Sequence, residues 1–282
     1  MTPHDQDTLD RLKSTYPGCV GVYTEEGLVV VRKPSADEAM ELEDAVGALT
    51  DLGAKPNPYA GLEELKQLVV HPQPERTEEI LQGFAESFGQ ILGFARTAAW
   101  GGDRPILIEA DLREEELYDL TQKPDGNGRR PKRAGGRIFA VEHLKLEERT
   151  VEEHREWEAM TPAERQTCPD ANPHTPRRVV LGRYLMRRLG LVEHRDLQRQ
   201  IASGGFLVRT RNGDERVPRA SMLAKVAREH AIQAPGCVIP DWERHPYLLI
   251  LLGQAVRDQS ALRAGSAEGK SSPDSKRDEA TR

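Results

Sequence analysis

The hydrophobic positions of this chain follow two periods that alternate along its length. "CVGVY" and "LVVVR" are β-branched runs around Thr24-Glu25-Glu26-Gly27, which predicts a hairpin with a short glycine-containing turn. Pro34 ends the second strand. Ser35, with Glu38 three residues on, makes a capping box that opens a helix carrying Met40, Leu42, Val46 and Leu49. "GLEELKQLVV" predicts a second helix, stopped by His71-Pro72. Ile80, Leu81, Phe84, Phe88, Ile91, Leu92 and Ala95 draw one apolar stripe along a third, from about Glu75 to Ala99. Gly101-Gly102 close this unit.

"PILIEA" predicts a strand, and Asp111 with Glu114 a short acidic helix ending near Leu120. Residues 123–137, "KPDGNGRRPKRAGGR", have no apolar period and read as a linker or loop. "RIFAVEHLKL" returns to strand character, a charged helix follows through Trp157, and Thr161-Pro162 with Glu164 starts another. Thr175-Pro176 then reads as the cap of a helix over "RRVVLGRYLMRRLG". It would turn Val179, Val180, Tyr184, Leu185 and Leu189 inward, turn Arg177, Arg183, Arg187 and Arg188 outward, and stop at Gly190. A shorter helix spans about Glu193 to Ala202. "FLVRTRNGDERVPR" is a hairpin turning at Asn212-Gly213. Ser221 caps the next helix, and an apolar helix runs from about Tyr247 to Leu262.

The expected fold is therefore α+β, mainly α, in two units. Residues 1–122 form a small hairpin with helices, and 123–137 a basic linker or loop. Residues 138–263 form a helical domain with a β-hairpin at 206–218, and 264–282 a tail disordered by composition. The longest apolar run, "YLLILLGQAV", is half of the roughly 20 residues a membrane span needs, so no membrane partner is expected. The polar N-terminus and three scattered cysteines suit a cytoplasmic location.

Charge changes this picture more than composition does. The net charge of −6 conceals 24 acidic against 10 basic residues over 1–122. Residues 123–137 hold 6 basic against 1 acidic, and residues 176–219 hold 11 against 4. Helix, helix, hairpin and helix in a basic segment suggest a winged-helix-like module at 176–219. Its anion-binding side chains would be Arg209, Arg211, Arg216, Arg219, Arg187 and Arg188, and its ligand a nucleic acid. The same charges also suit a solvated edge hairpin. The acidic first unit is a further alternative partner for this charge.

Bond-making chemistry has little support. No G-x-S-x-G, H-E-x-x-H, P-loop or G-x-G-x-x-G occurs. Cys168 with His174, and Cys237 with His245, lack zinc-ligand spacing. No catalytic residue, metal or cofactor is expected, and the function read here is non-enzymatic binding or assembly. Phe84, Phe88, Ile91 and Phe94 on the third helix are the candidate partner groove.

Three stretches of the first 100 residues carry a family resemblance. They are "LVVVRKPSADEAMELEDAV", "LKQLVVHP" and "ILQGFAESFGQILGFARTAAWGG". Together they resemble the phage tail assembly chaperones, in which a small hairpin with an Arg-x-Pro-like exit leads to a capped acidic helix, then a helix ending in an apolar-apolar-x-Pro step, then a long helix with small residues. The resemblance implies an acidic, mostly helical protein. It would bind and shield a tape measure protein while the tail tube assembles, without catalysis. The alternative is a nucleic-acid-binding adaptor using 176–219.

Overall fold

Thr2 donates its N–H to the Asp5 carboxylate and accepts the Asp5 N–H on its hydroxyl. That reciprocal cap starts the first helix, α1 (Pro3–Thr15). The sequence pattern misses α1 because only Thr8 and Leu9 on it are buried, too few to draw a stripe. The computed structural model describes residues 2–268 apart from 56, 58, 84, 101–104, 169–171, 173, 240 and 243. Gly101-Gly102 and the tail beyond residue 268 therefore lie outside the described residues.

The predicted first hairpin is β1 (Val20–Thr24) and β2 (Gly27–Val31), and β3 (Val69–His71) adds to β2 in an antiparallel sheet of order β1-β2-β3. Successive residues of β2 face opposite ways. Val29 and Val31 pack under α2 (Ala36–Gly47), α3 (Leu62–Leu68), α4 (Pro74–Gly83) and α5 (Ala85–Trp100), while Leu28 and Val30 pack on Leu9 of α1. The third helix expected over 75–99 is α4 and α5, on either side of residue 84. The Ser35–Glu38 capping box forms, and Arg32 also grips Glu38, holding its carboxyl down at about 2.

The second half runs β4 (Ile106–Ala110), α6 (Glu114–Leu117), β5 (Ile138–Glu147), α7 (Val151–Ala159), α8 (Pro162–Thr167), β6 (Arg177–Arg187), α9 (Leu191–Gly204), β7 (Phe206–Thr210), β8 (Gly213–Val217), α10 (Ala220–His230), β9 (Ala231–Ile232) and α11 (Tyr247–Glu268). The chain is α+β and mainly α, but its second unit holds a four-stranded antiparallel sheet of order β4-β5-β6-β9 rather than helices with one hairpin.

Two expectations are corrected here. The helix expected over 177–190 is the strand β6. Its inner half is covered on both faces, Tyr184 and Met186 on one and Leu185 on the other, so it reads as a continuous apolar run that mimics a buried helix. Residues 106–110, placed in the first unit, form β4 of the second sheet, because β4 pairs with β5 from Ile106↔Leu144 to Ala110↔Ala140. The basic stretch 123–137, expected as a linker or loop, runs between the paired strands β4 and β5.

The two halves share one core. Ala36, Ala39 and Met40 of α2 and Ala99 of α5 pack with Phe139, Val141, Tyr184 and Met186 of the sheet and with α9, α10 and α11. Gly253 lets α11 lie directly on α10: a Cβ there would come 2.7 Å from the backbone carbonyl carbon of Leu223. Beyond His143 a bulge shifts the register, and β5 and β6 continue to Glu147↔Arg177 as a ribbon past the end of β4. That ribbon carries α7 and α8, neither of which has a buried residue. Arg165 ties the two together, donating to the Trp157 carbonyl at 3.0 Å with its guanidinium over the indole.

Candidate functional site

The hairpin at 206–217 forms as expected, but its arginines are mostly occupied. Arg211 and Asn212 make the turn and Gly213 follows at φ 118°, a conformation that side chains with a Cβ rarely adopt. Arg209 pairs with Asp214 at 2.8 Å. Arg216 and Arg219 donate to the carbonyls of Gly205 and Gly204 at 2.8 and 2.6 Å. Those carbonyls end α9, where a cation opposes the negative end of the helix dipole. Arg219 also stacks over Phe206. Outside the hairpin, Arg187 pairs with Glu193, and Arg188 donates to the Ile138 carbonyl and lies over Phe139. Arg211 is exposed, and no carboxylate among the described residues pairs with it.

The acidic first unit also meets the second half, mostly through the backbone of that half. Asp44 of α2 accepts the Ala220 N–H at 2.6 Å and the Ser221 hydroxyl, capping α10 from another element in place of the expected Ser221 cap. Asp51 accepts the Gly53 and Leu207 N–H groups, which hold its carboxyl below the usual range with Arg216 and Arg219 nearby. Leu52 donates to the Leu207 carbonyl at 2.8 Å, and Arg228 pairs with Asp37 at 2.7 Å. Five of the six predicted anion-binding arginines are thus engaged by partners within the chain, and Arg211 stands exposed at the turn.

The predicted groove residues are split. Phe88 and Ile91 are core, Phe94 is exposed, and Phe84 lies outside the described residues. An apolar surface lies elsewhere, on the outer part of the second sheet. Directly opposed residues on antiparallel strands share a face, so Ile106, Leu144 and Val180 form one row across β4, β5 and β6. Leu144 is buried, while Ile106 and Val180 beside it are exposed. Ile108 and Leu146 extend the row along the same face. At the β6 edge the Val238 N–H donates to the Arg183 carbonyl, adding exposed Val238 and Ile239 beside exposed Leu181. Sequence reasoning misses this face because the β6 segment reads as a helix.

On the same face, where Ile108, Glu142 and Arg183 stand in register, lies a buried ionic node covered by Glu116 of α6 and by Cys237. Arg183 donates to Glu116 at 2.7 and 2.9 Å, to Glu142 at 2.6 Å and to the Asp111 carbonyl. Glu116 has no exposed surface, and Arg183 holds its carboxyl down at about 2. The Cys237 thiol donates to Glu116 at 3.1 Å, and burial beside that carboxylate pushes the thiol up to about 11, away from nucleophilic chemistry. His245 meets His143 edge-on, and His174 meets His154. Among the described residues no group of three or more His, Cys, Asp or Glu is placed to hold a metal ion.

No family model, curated protein or solved structure matches this chain.

The node anchors α6, and with it the root of the basic loop. Residues 118–132 fold back as a ladder, with Tyr118 bridging Lys132 and the Asp119 N–H donating to the Pro131 carbonyl at 2.9 Å. At the tip the Asp125 carboxylate accepts the N–H groups of Asn127 and Arg129 at 2.9 and 2.8 Å. Lys123, Arg129, Arg130, Lys132, Arg133 and Arg137 are held on this frame, and among the described residues none of them forms an ion pair. A cleft of about 550 Å³ opens between Glu114, Tyr118, Gly128, Arg129, Arg130 and Lys132.

Proposed function

We propose that this protein is a non-enzymatic binding and assembly protein that docks a partner on the open aliphatic face of its second sheet. Exposed Ile106, Ile108, Val180 and Leu146, gathered around buried Leu144 by the strand pairing, carry the reading: aliphatic side chains grouped at one margin of a sheet suit a docked partner. Arg178 stands directly opposite Leu146, with Arg177 beside it, and neither forms an ion pair among the described residues. The proposed occupant is therefore an amphipathic helix of another protein, apolar on one side and acidic at its flank. The resemblance of the first 100 residues to tail assembly chaperones supports the same reading, with an elongated tape measure-like protein supplying the helix.

Leu146→Asp with Val180→Asp tests this against a synthetic amphipathic helical peptide with acidic flanks. Both sites are exposed, so the variant is expected to fold. Titration calorimetry should show binding weakened at least about tenfold, as for a central apolar contact, with Phe94→Asp leaving it unchanged. Unaltered binding by the double variant, or a chain that uses this face to pair with a second copy in sedimentation, would remove the reading.

A further inference from the structure

The loop at 118–137 meets three independent requirements of a phosphate-polymer site. The first is unneutralised charge. Lys123, Arg129, Arg130 and Lys132 are gathered on one short segment without an ion pair among the described residues, and the carboxylate of Asp125 at its tip is turned inward to the loop's own N–H groups. The nearby carboxylates are Asp119, which faces Arg133, and Glu114 at the cleft wall. By contrast, the hairpin's Arg209 is committed to a carboxylate and its Arg216 and Arg219 to helix-end carbonyls. The second is order. The Tyr118–Lys132 bridge, the Asp119–Pro131 hydrogen bond and the Arg130 guanidinium on the Leu120 carbonyl at 3.1 Å fix the frame from which the cations project. The third is a cleft with a ring in its wall. Tyr118 is half-buried beside Arg129, Arg130 and Lys132, in a space within the range that ordinary ligand sites occupy. The side-chain nitrogens Nε and Nη2 of Arg133 are buried without a hydrogen-bond partner among the described residues, close by in the same loop.

We infer that this loop binds single-stranded nucleic acid, the backbone phosphates lying along Arg129, Arg130, Lys132 and Lys123 and one base stacking on Tyr118. Arginine guanidinium groups match phosphate oxygens in bidentate geometry. Aromatic walls accept any base, so the site follows the backbone and not the sequence. An acidic polypeptide would satisfy the charges but leave the tyrosine unused. A duplex keeps its bases stacked on one another and away from the ring. The site is separate from the aliphatic sheet face, and it stands or falls independently of the proposed assembly role.

The test uses the full chain and a labelled oligothymidine of about 15 nucleotides, by fluorescence anisotropy over a salt series. Arg129→Ala with Arg130→Ala and Lys132→Ala should weaken binding at least about tenfold. The plot of log K against log salt should also become shallower by about 2, close to 0.7 for each phosphate no longer neutralised. Tyr118→Leu should weaken binding several-fold with the salt slope unchanged. Arg129→Lys with Arg130→Lys keeps the charge but not the bidentate geometry, so it should restore the salt slope while recovering only part of the lost affinity, which separates loss of charge from loss of guanidinium contacts. Arg209→Ala with Arg211→Ala, on the hairpin, should change nothing. Failure to bind at low salt, indifference to the triple substitution, or equal binding of duplex or of polyglutamate would overturn the inference.

Discussion

Arg183 and Glu116 stand 67 positions apart in sequence and meet with almost no access to water. A buried pair of this kind is costly to break from one side, because the partner is left charged and unmatched. Glu116→Gln should therefore lose about 3 kcal/mol in urea unfolding at pH 7. The carboxyl is held at about 2 in the folded chain, below its unfolded value, so its contribution is complete above about pH 4.5. It fades as the pH falls through about 2. The gap between wild type and variant should accordingly narrow from pH 5 to pH 2; a gap constant over that range would show that Glu116 does not titrate as described. None of this is legible in the sequence. The pattern places Arg183 on the outside of a helix, Glu116 is one of three consecutive glutamates, and nothing local distinguishes the buried member from Glu114 and Glu115.

At the scale of elements, what a few neighbouring residues decide is readable and what distant residues decide is not. Ser35–Glu38 and Thr161–Glu164 form the capping boxes that their spacing announces, and both Thr-x-x-Gly segments, 24–27 and 210–213, turn as hairpins with the glycine at positive φ. β6 is misread because alternation disappears from a strand covered on both faces, and because Thr175-Pro176 imitates a helix start. The α10 cap shows the same limit. Its acceptor is Asp44, 176 residues before Ala220, so no local pattern contains it. Asp44→Ala should cost about 1–2 kcal/mol, the usual value of a lost cap. The loss should appear in thermal melts together with a loosened hairpin, since α2 and the adjoining turn hold both. Replacing Ser221 alone by Ala should have the smaller effect, because Asp44 would still accept the Ala220 N–H.

Across the whole molecule, the charge segregation visible in the sequence resolves into two different arrangements. Most of the hairpin's arginines are matched within the second half itself, Arg209 by Asp214 and Arg216 and Arg219 by the end of α9, while the acidic first unit adds the Asp37–Arg228 pair and caps α10 through Asp44. The loop at 123–137 stands outside that pairing and keeps its cations for solvent or a ligand. Among the described residues no helix is long and apolar enough to cross a membrane. The candidate sites move for this reason: composition locates positive charge correctly, but only the packing tells which of it is already matched. The aliphatic row on the sheet cannot be assembled from sequence at all, since its members come from three strands whose pairing no local pattern reveals.

The ribbon of β5 and β6 ends with Glu147 directly across from Arg177, and among the described residues between them, α7 and α8 included, none belongs to a core cluster. Thermodynamically those residues are a passenger: their amides should exchange with deuterium through local opening long before the sheet's do. Splicing Asn-Gly between Glu147 and Arg177 would close the strands with a two-residue turn. The shortened chain should melt within a few degrees of the parent, so evolution is free to lengthen, trim or exchange this appendage without renegotiating the rest of the fold.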